Sequence, residues 1–199
     1  KMIEYLGETD TPQPCFAYLP FQASHIPVQA PADFIAKYDG VYDQGWHALR
    51  QKRYERAQEL GLFPQGAPLA PMPEDARDWN SLTDKERELY SAMMEVNAAM
   101  LDAMDHHVGR FIEHLKAEGQ FENTIFVVAS DNGPEFNRGD NDWRIGLFQR
   151  LNGYNIDSHR AGLRGSWGFI GPEWANAAAS PGALYKFYAS EGGGRAPLI

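Results

Sequence analysis

At 199 residues, with 43% hydrophobic and 23% charged residues, the chain has the size and balance of a folded domain, which excludes a disordered tail. Eighteen Lys and Arg against 27 Asp and Glu leave a net charge of −9 with no basic run, and this argues against a nucleic-acid binder. A lone cysteine, Cys15, excludes an internal disulfide framework and a paired-cysteine metal cluster, and no apolar run is long enough to read as a membrane helix.

In chain order, Phe16 to Phe21 (FAYLPF) reads as a short buried strand. The prolines of the following SHIPVQAP impose an extended loop that carries His25. By residue type alone, a histidine in such a loop is a surface or packing residue before it is a catalyst. Residues 32–60 read as helical, and Gly61 to Pro73 as a proline-rich surface loop. Thr83 and Glu86 then form a capping-box pattern. Leu89, Met93, Val96, Met100, Met104, Val108, Phe111 and Leu115 recur at three- and four-residue steps, which predicts one long helix stopped by Gly119. On it, Met93, Met94, Met100 and Met104 read as core filler, and Asp102, Asp105, His106 and His107 as helix surface and core edge. Thr124 to Ala129 (TIFVVA) is apolar without alternation, the text of a strand buried on both faces. The order strand, helix, strand argues for an α/β fold.

Ligands of open α/β sheets bind beyond the carboxyl ends of the strands, so Asp131 and Asn132 stand where a site belongs. Their side-chain oxygens suit a hard cation such as Ca²⁺ or Mg²⁺, and Gly133 and Pro134 force an immediate turn. The same four residues are also ordinary turn chemistry, and residue types alone leave both readings open. Gly192 to Gly194 lack the spacing of a phosphate loop, and Lys186 has no special status by itself. Residues 161–174 (AGLRGSWGFIGPEW) read as a packed irregular loop near a pocket. Lys1 is not an initiator and the chain stops at Arg195 to Ile199 on what reads as the start of a strand, so the expectation is an interior segment of a longer protein.

Taken in order, FAYLPFQASHIPVQAP, GWHALRQKRYERAQELGL, AAMLDAMDHHVGRFIEHLKAEGQFENTIFVVASDNGPE and GLRGSWGFIGPEWANAAASPGALYKFYASEGGGRAPLI resemble the type I sulfatases. The likeness is to the bacterial arylsulfatase branch of the alkaline phosphatase superfamily. It implies an alkaline-phosphatase-like mixed sheet flanked by helices, incomplete here, with residues 1–199 as an interior part of the catalytic domain. It implies that Asp131 and Asn132 are metal ligands, for Ca²⁺ ahead of Mg²⁺, with two further acidic ligands upstream. By the same resemblance, His25 contacts the sulfate ester near its leaving oxygen, Lys186 contacts the sulfate, and Glu191 to Pro197 shape the backbone beneath the site.

The family nucleophile is a formylglycine made from the first residue of a C/S-x-P/A-x-R motif. Cys15 is followed by Phe16, Ala17, Tyr18 and Leu19, so it is not that residue, and it is expected to pack beside the strand. The nucleophile then lies outside this segment, and the segment alone is expected to be inactive. The implied reaction is hydrolysis of a small-molecule sulfate ester to alcohol or phenol and sulfate. Loops 61–73 and 136–160 would read the alcohol. A phosphonate monoester or phosphodiester hydrolase of the same superfamily, and a non-catalytic metal-binding remnant, are the alternatives. Periplasm or cytoplasm, and the oligomeric state, stay open.

Overall fold

Among the described residues, seven α-helices organise the chain: α1 (Met2–Gly7), α2 (Ala32–Ile35), α3 (Gly45–Glu59), α4 (Asp84–Ala117), α5 (Trp143–Leu151), α6 (Gly171–Ala178) and α7 (Glu191–Gly194). They are those of a computed structural model that describes residues 1–7, 13–138 and 143–199. None of them is long and apolar enough to cross a membrane.

Helix α4 is the spine, and its sequence accounts for both ends. Thr83 Oγ1 accepts from the Glu86 amide at 3.3 Å, while the Glu86 carboxylate accepts from the Thr83 amide at 2.8 Å. Such a cap contributes about 1 kcal/mol. At the other end Gly119 takes the left-handed φ of +68°, the Gln120 amide donates to Leu115 and the Gly119 amide donates to Lys116. That is the Schellman arrangement, and glycine adopts it without a Cβ penalty. The predicted apolar stripe faces inward, with Met93, Val96, Met100, Phe111 and Leu115 all buried.

Against that stripe sits an aromatic core contributed by distant segments. Trp46 of α3 meets Trp79 edge-on at 4.7 Å and Trp174 of α6 at 5.7 Å. Indole N–H groups must find acceptors when buried, and both do. Trp46 donates to the Arg77 carbonyl at 3.1 Å, and Trp174 donates to the Tyr90 carbonyl at 3.0 Å. Gly45 lets the chains close: a Cβ there would lie 2.4 Å from the Trp79 ring.

Glu173, one residue before Trp174, is 1% exposed. A carboxylate stripped of water needs charged donors. Arg77 provides bonds of 2.8 and 3.2 Å from its guanidinium, and Arg138 provides another. Burial by itself would raise the Glu173 pKa, but the hydrogen bonds from Arg77 and Arg138 outweigh it and hold the carboxyl below its usual range. Arg77 also donates to the Tyr90 hydroxyl at 2.8 Å and lies over its ring.

Several sequence expectations need correction. The helical stretch 32–60 is broken: α2 runs into a 3₁₀ turn at Ala36–Tyr38, and α3 begins only at Gly45. Phe16 and Tyr18 are 93% and 71% exposed, so FAYLPF is no buried strand, and Cys15 is exposed rather than packed. Within 136–160, α5 and a 3₁₀ turn at Ser158–Arg160 replace much of the expected loop, while residues 139–142 lie outside the described residues. The 161–174 loop gives way to α6 at Gly171.

No regular strand occurs among the described residues, so the mixed sheet is not seen in them; three isolated bridges are. Thr124 to Ala129 lies extended, pairing by one edge with residues 197–199 through Val128 and Ile199. Ile125 and Val127 are 93% and 71% exposed. The doubly apolar text anticipates cover on both faces, and the described residues supply a neighbour on one edge only.

The buried carboxylate makes a direct stability prediction. Glu173→Ala leaves two arginines without their acceptor and lowers unfolding free energy by about 3–5 kcal/mol in urea denaturation. Because the folded pKa is depressed, the contribution of Glu173 is complete above the unfolded carboxylate pKa and fades as pH falls through the folded one. The variant therefore shows a flatter acid limb, and a loss under about 1 kcal/mol would contradict the assignment.

Candidate active site

His25 owes its place to its neighbours in the chain. Val28, fully buried, donates its amide to the Gly168 carbonyl at 3.0 Å, and Ala30 donates to Gly162 at 3.2 Å. These bonds fasten the extended proline-flanked segment to the loop that leads into α6. The apolar anchor leaves the His25 side chain 54% exposed, with Nδ1 2.8 Å from the Ile26 carbonyl. With Nδ1 as donor there, Nε2 of the neutral ring is the acceptor.

Lys186 arrives from the opposite end of the sequence. Its amide donates to the Pro134 carbonyl at 3.1 Å. Phe136 stacks on Tyr185 with ring centroids 4.8 Å apart. The stack joins the residue after Glu135 to the residue before Lys186, so the two charged side chains are brought alongside. Leu184 and Phe187, flanking this point, carry φ of +60° and +76°. Left-handed backbone at such residues costs on the order of 1 kcal/mol each and persists where the surroundings overdetermine it.

The result is a three-membered cluster. Lys186 Nζ lies 2.9 Å from Glu135 Oε2 and 3.2 Å from His25 Nε2, and His25 Nε2 lies 3.3 Å from the same Glu135 oxygen. Glu135 Oε1 accepts from the Asn137 amide at 3.1 Å and from its side chain at 2.5 Å. Burial alone would raise the Glu135 pKa. The Lys186 hydrogen bond, the Asn137 amide and the charges of Lys186 and His25 outweigh it, so the carboxyl is held below its usual range.

Asp131 and Asn132 occupy the turn just before Glu135. Ser130 Oγ donates to the Asn132 carbonyl at 2.9 Å, and Asn132 Nδ2 donates to the Gly133 carbonyl at 3.2 Å. Asn132 thus uses its amide nitrogen as a donor within the turn, and its side-chain oxygen is by chemistry an acceptor. The turn is seated on α7: Gly133 donates to the Gly193 carbonyl at 2.9 Å, and a Cβ on Gly133 would fall 1.9 Å from the Gly192 carbonyl oxygen. On the other side of the contact, a Cβ on Gly192 would fall 2.1 Å from the Leu184 carbonyl oxygen and one on Gly193 2.1 Å from that of Tyr188. Glu191 and Arg195 pair at 3.1 Å across α7.

Among the described residues, no cluster of three or more His, Cys, Asp or Glu could enclose a metal ion. Asp131 and Asn132 do present two adjacent hard oxygens, which fits part of the six- to eight-oxygen shell of a calcium ion. His25, Asp131, Asn132 and Glu135 all line one open groove of about 3210 Å³. That volume far exceeds a small-molecule pocket of about 300–1,000 Å³, so the groove is an open face.

Sequence reasoning named His25, Lys186, Asp131 and Asn132 but not Glu135. The first two meet directly. The metal pair shares the segment of Glu135, without a hydrogen bond or ion pair to His25 or Lys186 among the described residues. The trace of Glu135 in the sequence is slight: an acid followed by an aromatic (Glu135, Phe136), matched by an aromatic followed by a base (Tyr185, Lys186).

The sulfatase family model matches residues 1–199. The chain is 36% identical over 202 residues to an uncharacterized sulfatase of Schizosaccharomyces pombe, a match covering 100% of this chain and 36% of that protein. It is 33% identical over 206 residues to the arylsulfatase of Klebsiella aerogenes, covering 98% of this chain and 41% of that one. The chain thus spans well under half the length of these curated relatives. With the family model matched from end to end and the likeness to both relatives running through the same residues, the chain belongs to the sulfatase family.

Proposed function

We propose that the protein carrying this chain hydrolyses sulfuric esters, as an arylsulfatase-like enzyme, and that these residues supply its anion-binding and proton-donating side. The observation that carries this reading is the convergence of Lys186 and His25, 161 positions apart, at 3.2 Å beside the Asp131–Asn132 turn. Cleavage of a sulfate ester builds negative charge on the sulfuryl oxygens and on the departing oxygen, and preorganised cations and donors at those atoms lower the barrier. The Lys186 ammonium has three protons. One goes to Glu135, one to His25 Nε2, and the third is available to a sulfuryl oxygen. His25, half-exposed at the groove, protonates the leaving oxygen when its ring is charged.

Asp131 and Asn132 would hold a divalent cation, for which we propose Ca²⁺ because both donors are hard oxygens. Such a cation supplies electrostatic stabilisation of the sulfuryl oxygens. The nucleophile, a formylglycine by family resemblance, and the remaining ligands belong to other parts of the catalytic domain. On an acidic chain of net charge −9, this local positive pocket is what admits an anionic substrate.

Two measurements test the reading. Lys186→Ala lowers kcat/KM for an aryl sulfate about 100-fold or more, with kcat falling and KM rising, as expected for a lost charged donor. Wild-type kinetics would remove Lys186 from the site. A protein that prefers aryl phosphodiesters or phosphonates to aryl sulfates would keep the site and change the substrate. In calorimetric titration with Ca²⁺, Asp131→Ala loses nearly all affinity, and unchanged affinity would refute the metal assignment.

A further inference from the structure

The Lys186–His25 contact raises an electrostatic difficulty. Two groups that are both cations in the working state of the enzyme cannot rest 3.2 Å apart without compensation. Glu135 stands at the right place to provide it. Its carboxylate is 5% exposed, and one oxygen, Oε2, lies within reach of both Lys186 Nζ and His25 Nε2. Its other oxygen is fixed by Asn137, so the carboxylate cannot rotate away from the pair.

We propose that Glu135 is the positioning residue of this site, holding Lys186 against His25 and balancing the second positive charge when the imidazole is protonated. The inference rests on the sulfuric-ester reading above. In the neutral ring, Nε2 accepts from Lys186. When the ring takes a proton, Nε2 becomes a donor, and Glu135 Oε2 at 3.3 Å balances the ring's charge while that proton is free to pass to the departing oxygen. As an oxygen nucleophile from outside these residues forms its bond to sulfur, the ester S–O bond breaks and its electron pair stays on the departing oxygen. That oxygen takes the Nε2 proton. The freed Nε2 lone pair then accepts again from Lys186, and the cluster returns to one carboxylate and one ammonium.

A group that sustains the proton donor matters most where the leaving oxygen is most basic. The test measures kcat and KM over a series of aryl sulfates with leaving phenols of stepped pKa, in the wild-type protein, E135Q and E135D. E135Q is expected to lose about 10- to 100-fold in kcat on the most basic phenol, within the range of general-acid effects, and less than about 3-fold on dinitrophenol. E135D, which keeps the charge, restores most of the loss. An equal loss across the series would mark a structural residue and overturn the proposal, as would no loss at all, or variants that fail to fold by circular dichroism. A wild-type protein silent toward every sulfate ester would instead overturn the sulfuric-ester reading, and this inference with it.

Discussion

One buried carboxylate ties the parts of this structure together. Glu173 has almost no contact with water, so its charge is tolerable only while Arg77 and Arg138 both reach it. Arg77 belongs to the segment before Trp79, Glu173 to α6, and Arg138 to the stretch that begins with the Asp131–Asn132 turn. The ion cluster therefore fixes the aromatic core and the site segment to one point. Arg138 lies three positions after Glu135, so the interaction that closes the core also limits where the second buried carboxylate can stand.

Both carboxylates follow one rule with different outcomes. Each is pushed upward by burial and pulled further downward by charged donors. Around Glu173 the donors are arginines, always charged, and the arrangement has a single state. Around Glu135 the partners are a lysine and a histidine, and the imidazole Nε2 can either accept or donate. The same physics gives a fixed structural tie in one place and a responsive one in the other. Strained backbone at Leu184 and Phe187 brackets Lys186 of the responsive cluster.

Much of α4 is legible in the sequence because its signals are local. The Thr83–Glu86 box, the apolar steps and the Gly119 stop each depend on residues within one or two turns, and all three appear. Thr124 to Ala129 fails for the opposite reason: burial of a strand on both faces belongs to its neighbours, which the segment does not contain. Sulfatase membership implies an alkaline-phosphatase-like α/β fold, while the described residues hold only bridges of a sheet. His25 and Lys186 are chemically ordinary until the fold brings them together beside Glu135, so only the family resemblance singled them out. Glu135 could not be told from a turn acid, because its role depends on a lysine 51 positions away.

The central claim is that Lys186 and His25 form one anion site beside a cation held by Asp131 and Asn132. A crystal structure of the protein grown with Ca²⁺ and inorganic sulfate tests it most directly. The account predicts a sulfate oxygen within about 3 Å of Lys186 Nζ, with His25 Nε2 at hydrogen-bond distance and the cation on the Asp131 and Asn132 side-chain oxygens. Sulfate bound elsewhere while Lys186 keeps only its Glu135 and His25 contacts, or a cation that ignores Asp131, would contradict it.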